Sequence, residues 1–221
     1  MTVPTPDQGR AVEIPAGRRR LSGVLTTPVD ASSVIAFAHG SGSGRLSPRN
    51  QFVARVLQNA GLATLLLDLL VGEEAEDRAK VFDIELLADR LQYAANWLSQ
   101  EPVTSALRIG YFGASTGAGA ALMAAVRDTA VGAVVSRGGR PDLAGTQLRE
   151  VRAPTLLIVG GRDDVVVELN EAAFRSLQCT KDLVIVPGAT HLFEEPGTLE
   201  QVADLAQAWF VKYLAPMGQR P

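Results

Sequence analysis

Six short stretches of the chain are almost wholly aliphatic, at 34–38, 63–67, 108–112, 132–135, 155–159 and 182–186, each bounded by Gly, Pro, Asp or Asn. Apolar character that runs on for about five residues without polar alternation predicts strands buried on both faces, as in a parallel sheet. Between them the period changes. Ile84, Leu87, Ala88, Leu91, Ala95 and Leu98 recur at three and four residues and predict an amphipathic helix. Ser47 and Pro48 read as N-cap and first helical residue of another, with Val53, Val56, Leu57 and Ala60 on its apolar side and Gly61 as its stop. Near the C-terminal end, Thr198-Leu199-Glu200-Gln201 has capping-box spacing, followed by Val202, Ala206, Trp209, Phe210 and Tyr213.

Strands alternating with helices imply right-handed crossovers and a mostly parallel sheet with helices on both faces. The first thirty residues differ: Val12 to Ile14 and Arg20 to Leu25, separated by Pro15-Ala16-Gly17, predict an antiparallel hairpin added at one edge. No internal repeat or linker interrupts the pattern, so residues 1–221 are expected to form one α/β domain. Only about twenty residues separate Val135 from Thr155, too few for an inserted helical cap.

Charge narrows the function classes. A formal net charge of -3 without a block of like charges gives no footprint for nucleic acid and no polybasic membrane anchor, and Arg18-Arg19-Arg20 reads as a solvated run. The longest greasy run, 62–71, is interrupted by Asp68 and falls short of the ~20 residues a bilayer span requires. Met1 to Arg10 carries Pro4, Pro6 and Asp7 where a secretory leader would be basic and then apolar, so the expected location is cytoplasmic. A single cysteine, Cys179, rules out an internal disulfide and a cysteine metal cluster, and reads as a structural thiol. The partner expected is a small molecule.

In sheets of this kind the functional groups collect in the loops at the carboxyl ends of the strands. After 108–112 comes Gly113-Ala114-Ser115-Thr116-Gly117, a G-x-S-x-G pattern in a strand–turn–helix setting that exposes the serine at a helix N-terminus. A serine hydroxyl needs a base to attack, and of the two histidines His191, in the loop after the last strand, is better placed than His39. The base needs a carboxylate. Gly160-Gly161-Arg162-Asp163-Asp164 delivers two, Asp163 being preferred and Asp164 expected to cap the next helix or face water.

The order Ser115, Asp163, His191, each after a successive strand, resembles the α/β-hydrolase fold family over nearly the whole chain. The Gly160-Gly161-Arg162-Asp163 turn and Gly188-Ala189-Thr190-His191 look most like dienelactone-hydrolase-type enzymes. Those namesake enzymes use cysteine as nucleophile, and Ser115 stands in its place here. The resemblance therefore implies a serine carboxylesterase without cofactor or metal. Lactonase or thioesterase chemistry is the alternative within enzymes, and a catalytically silent binding protein the alternative outside them.

The glycine-rich loop His39-Gly40-Ser41-Gly42-Ser43-Gly44 fits neither phosphate fingerprint: counted from Gly40, Arg45 occupies the third glycine position of G-x-G-x-x-G, and no Gly-Lys-Ser/Thr follows. The family's His-Gly motif resembles His39-Gly40, which implies oxyanion donors at the backbone N–H groups of Ser41 and Thr116, with His39 bracing the loop. Asp68 is expected to end its strand with a loop bond. Arg137 and Arg140, and Arg45 with Arg49, are expected at the same sheet edge, in an arrangement that favours an anionic or phosphorylated substrate.

Overall fold

The aliphatic stretches become strands of one eight-stranded sheet in the computed structural model, which describes residues 9–215. In chain order the elements are β1 (Arg10–Ala16), β2 (Arg19–Thr26), β3 (Ser33–Ala38), α1 (Pro48–Asn59), β4 (Leu62–Leu67), α2 (Arg78–Val81), α3 (Ile84–Gln100), β5 (Arg108–Ala114), α4 (Thr116–Arg127), β6 (Ala133–Arg137), β7 (Thr155–Gly160), α5 (Asp164–Ser176), β8 (Lys181–Val186) and α6 (Thr198–Leu214). Two 3-10 segments, Gly72–Ala75 and Pro141–Glu150, follow β4 and β6. The strand order is β1-β2-β4-β3-β5-β6-β7-β8, antiparallel up to β4 and parallel from there on. Met1 to Gln8, most of the stretch read for a leader, lies outside the described residues.

Continuous hydrophobicity is explained by two cores. In β3, Val34, Ala36 and Ala38 join the apolar cluster under α3 and α4, while Ile35 and Phe37 join the one under α1 and α6. Every residue of β3, β4, β6 and β7 is buried. β1 alternates instead, with Val12, Ile14 and Ala16 inward, and its hairpin with β2 turns at Gly17, whose φ of +61° suits glycine. β8 departs from the expectation of burial on both faces. It is the last strand of the sheet, and Ile185 is 41% exposed.

The helix starts follow local chemistry. Ser47 accepts from the Asn50 N–H ahead of Pro48, and Asp83 accepts from the Leu86 N–H to start α3. The capping box expected at Thr198 does not form. Gly197, at φ +82°, takes the cap position, and the Thr198 hydroxyl turns back to donate to the Glu195 carbonyl at 2.7 Å.

Strand order decides where a site can open. From β3 the chain crosses to β4 on one side, then returns to β5 on the other. Loops leaving β3 and β5 therefore diverge at the carboxyl edge of the sheet and leave a crevice between them. No helix among the described residues is long and apolar enough to cross a membrane.

Candidate active site

Ser115 fills the single-residue gap between β5 and α4 with φ +51° and ψ -122°, a conformation that side-chain-bearing residues rarely adopt. The surroundings hold it there. The Ser115 N–H donates to the Arg137 carbonyl at 3.2 Å, and the Ser115 carbonyl accepts from Ala118 and Arg140 at 3.1 and 3.0 Å. Both flanking glycines are sterically required: a Cβ on Gly113 would stand 2.5 Å from the Ala118 Cα, and one on Gly117 would stand 2.5 Å from the His39 carbonyl oxygen.

His191 reaches this serine from the loop after β8. Its Nδ1 lies 2.6 Å from Asp163 Oδ2, and its Nε2 lies 3.3 Å from Ser115 Oγ. An Nδ1–H donating to the carboxylate leaves Nε2 free to accept the serine proton. Asp163 occupies the N-cap position of α5 but caps nothing, because its carboxylate is directed to the imidazole; Asp164, in the first turn, is exposed. The two loops meet closely, since a Cβ on Gly160 would stand 2.6 Å from the carbonyl oxygens of Ala189 and Thr190. Glu195 accepts from the Thr190 N–H at 3.0 Å and ties the histidine loop to itself.

The loop after β3 approaches from the other side. A Cβ on Gly40 would meet the Ser115 Cβ at 2.9 Å, so the backbone can pass the serine only as glycine. Ser41 and Thr116 both line the adjoining cavity, and among the described residues neither amide N–H donates to a protein acceptor. His39 is buried. Its Nε2 accepts from the Leu69 N–H at 2.9 Å and its Nδ1 lies 3.0 Å from the Gly40 carbonyl, while burial lowers its pKa and keeps the ring neutral. That ring joins the loops after β3 and β4.

Of the four arginines expected at the substrate, two are engaged elsewhere. Arg45 pairs with Asp68, which also accepts from the Arg45 N–H at 2.6 Å and so ends its strand with a loop bond. Arg140 is held in a two-pronged pair by Asp142 at 2.8 and 2.7 Å. In both cases a carboxylate close in the fold captures the guanidinium. Arg137, the last residue of β6, is only 7% exposed and lines the same cavity as Ser115, His191 and Arg49. Cys179 lies elsewhere, 3.8 Å from the Thr155 hydroxyl, and burial raises its thiol pKa.

Two chambers meet at Gly40, Ser41 and Ser43. The smaller, about 210 Å³, holds Ser115, His191, Arg49 and Arg137; the larger, about 410 Å³, is walled by Leu70, Ala75, Val81 and Leu87. The larger chamber depends on a pair that the sequence reading missed. Arg90, on α3, donates to Glu74 at 2.6 and 3.0 Å and to the Leu69 carbonyl at 2.6 Å, all buried, and Glu74 also accepts from the Val71 N–H at 3.1 Å. This pins the 3-10 segment that carries Gly72 and Ala75. Its trace in the sequence is a charge at Arg90 within the apolar stripe of Leu87, Leu91 and Ala94.

The model of the dienelactone hydrolase family matches residues 21–214. A crystal structure of dienelactone hydrolase from Anabaena variabilis ATCC 29413 is 56% identical, covers 95% of this chain and all of that one, and superposes with a TM-score of 0.92. XC6422 from Xanthomonas campestris, described as an a/b serine hydrolase without lid, shares the fold at 20% identity and a TM-score of 0.76, over 96% of this chain and 98% of that one. Proteins from two strains of Mycobacterium tuberculosis, each named "Putative phosphoribosyl transferase", are 58% identical over 96% of this chain. The chain spans about half the length of these curated relatives, 48% of each.

Proposed function

Because the chain belongs to the dienelactone hydrolase family, we propose that it is a serine hydrolase, cleaving short carboxylic esters through an acyl-enzyme. The observation that carries this reading is the continuous relay from Asp163 through His191 to Ser115, at 2.6 and 3.3 Å, ending on a strained, half-buried serine that lines a cavity. In it Ser115 Oγ attacks the ester carbonyl as its proton passes to His191 Nε2. Asp163 fixes the tautomer and steadies the imidazolium that forms. The N–H groups of Ser41 and Thr116 receive the tetrahedral oxyanion; being backbone groups fixed in place, they need no reorganisation as charge develops. His191 then gives its proton to the leaving alcohol, and water, deprotonated by the same ring, releases the acid. Neither a metal nor an organic cofactor has a part in these steps.

The chamber walled by Leu70, Ala75, Val81 and Leu87 suits a short acyl chain, and the absence of an inserted cap leaves its mouth open. A lactone is the cyclic form of the same bond, and the dienelactone hydrolase name of the Anabaena neighbour supports assaying a lactone beside the open-chain esters. The transferase name of the mycobacterial relatives belongs to proteins about twice this length, and no step above involves ribosyl transfer. The test is a series of 4-nitrophenyl esters from acetate to dodecanoate, with γ-butyrolactone and a thioester alongside. The expected result is a kcat/KM maximum at two to four acyl carbons and a loss of at least about 1,000-fold in Ser115→Ala. Faster turnover of long-chain emulsions, or full activity in the variant, would refute the reading.

A further inference from the structure

One charge in the cavity is unexplained by hydrolysis. Arg137 ends a strand whose other residues are apolar or small, and it is 7% exposed. A Leu or Val there would extend the core without desolvating a cation. Its guanidinium lies over the Phe193 ring at 5.9 Å, a partial compensation only. Among the described residues its Nε–H has no acceptor and no carboxylate pairs with it. Arg49 shares the cavity and repeats the pattern: its Nε–H also lacks an acceptor, and its one ion pair is with Glu194 at 3.5 Å, a side chain 63% exposed at the rim. Burial first, and Arg49 second, push the Arg137 pKa down to about 10, so the two cations repel each other across the space beside Ser115.

We propose that Arg137 and Arg49 receive a phosphomonoester group on the substrate, so that the ester cleaved at Ser115 is a phosphorylated one. This rests on the serine-hydrolase reading above. A buried guanidinium with unused donors calls for an anion with several acceptor oxygens. A carboxylate brings one negative charge and leaves the second arginine to the rim glutamate alone. A phosphomonoester brings between one and a half and two charges near neutral pH, and three oxygens for two guanidinium forks. The two chambers then divide one substrate: the apolar chamber takes the acyl chain, the basic one the phosphate, and the carbonyl sits at Ser115 where they join.

The test compares kcat/KM for 1-butyrylglycerol 3-phosphate, 1-butyrylglycerol and the carboxylate analogue 4-butyryloxybutanoate. The phosphorylated ester is expected to exceed each of the others by at least about tenfold. That ratio is expected to fall below about threefold in Arg137→Gln and in Arg49→Gln; the second residue is partly exposed, so its variant is expected to fold even if the first is damaged. A wild-type ratio near one, or equal preference for the carboxylate, would overturn the assignment while leaving the hydrolase reading intact. If no ester turns over, that reading fails and calorimetric titration with inorganic phosphate decides alone. Binding that weakens at least about tenfold in the double variant supports the phosphate site, and no binding to the wild-type protein refutes it.

Discussion

Replacing Asp163 by Asn keeps the size of the side chain and removes its charge. In the proposed transition state the imidazolium of His191 stands 2.6 Å from Asp163 Oδ2, measured to Nδ1. With an effective dielectric near 20, opposite unit charges at such separations attract by about 4 to 6 kcal/mol, and spreading of charge over the ring favours the lower end. That corresponds to a loss of roughly 1,000- to 25,000-fold in kcat. An amide that turns its NH2 group to Nδ1 would add to the loss by fixing the wrong tautomer. The neighbouring carboxylate is the internal control: Asp164 is exposed in the first turn of α5, so Asp164→Asn should stay within about threefold of wild type. Initial rates with 4-nitrophenyl acetate at pH 7.5 measure both, with circular dichroism as the check on folding. An Asp163→Asn enzyme that retained a tenth of its kcat, or an Asp164→Asn enzyme equally impaired, would refute the reasoning.

Glu74→Gln leaves the buried Arg90 without its counter-charge, and removing one partner of such a pair costs about 3 to 5 kcal/mol, or about 6 to 20 °C in Tm for a domain of this size, read by calorimetry. Hydrogen bonds from Arg90 hold the Glu74 carboxyl at about 2, below its ordinary value, so its stabilisation is complete above about 4.5 and is lost as pH falls towards 2; urea unfolding of the Gln variant should lack that acid-side loss. Burial lowers the His39 pKa from 6.5, so the unfolded chain binds more protons there and stability should fall as pH drops below about 6.5, by at most about 1.4 kcal/mol per pH unit, with a flatter dependence in His39→Gln. Gly117→Ala drives a Cβ into the carbonyl oxygens of Ala38 and His39 and should prevent accumulation of folded protein, whereas Gly42→Ala, at φ +67° with nothing within 4 Å, should cost only about 1 to 2 kcal/mol in urea unfolding.

The parts of this fold that could be read from the chain are those fixed by short-range rules. β3 and β7 are buried on both faces, so they carry no polar alternation, and Ser47-Pro48 starts α1 by its own chemistry. Ser115, Asp163 and His191 were legible for a topological reason: strand ends deliver loops to one edge of a parallel sheet, Gly113, Gly117 and Gly160 mark where backbones must pass closely, and Gly188, at φ +75°, turns the loop that carries the histidine. Contacts set by rotamers and distant neighbours were not legible. Arg45 and Arg140 look no different in sequence from Arg137, yet Asp68 and Asp142 capture them while β6 carries Arg137 into the cavity. The Glu74–Arg90 pair joins a 3-10 turn to a helix across the fold, and the short polar segments that frame it, Gly72–Ala75 and Arg78–Val81, have no period to detect. Thr198 shows a limit of motif reading, because its hydroxyl had a better acceptor behind it in Glu195.

The central claim is that Ser115 is the nucleophile, activated by His191. Incubation with a fluorophosphonate followed by peptide mass spectrometry tests it directly. One adduct is predicted, on the peptide containing Ser115, absent in Ser115→Ala and strongly slowed in His191→Ala. Labelling that persists at another serine in Ser115→Ala, or an unlabelled native enzyme that still hydrolyses esters, would contradict the account.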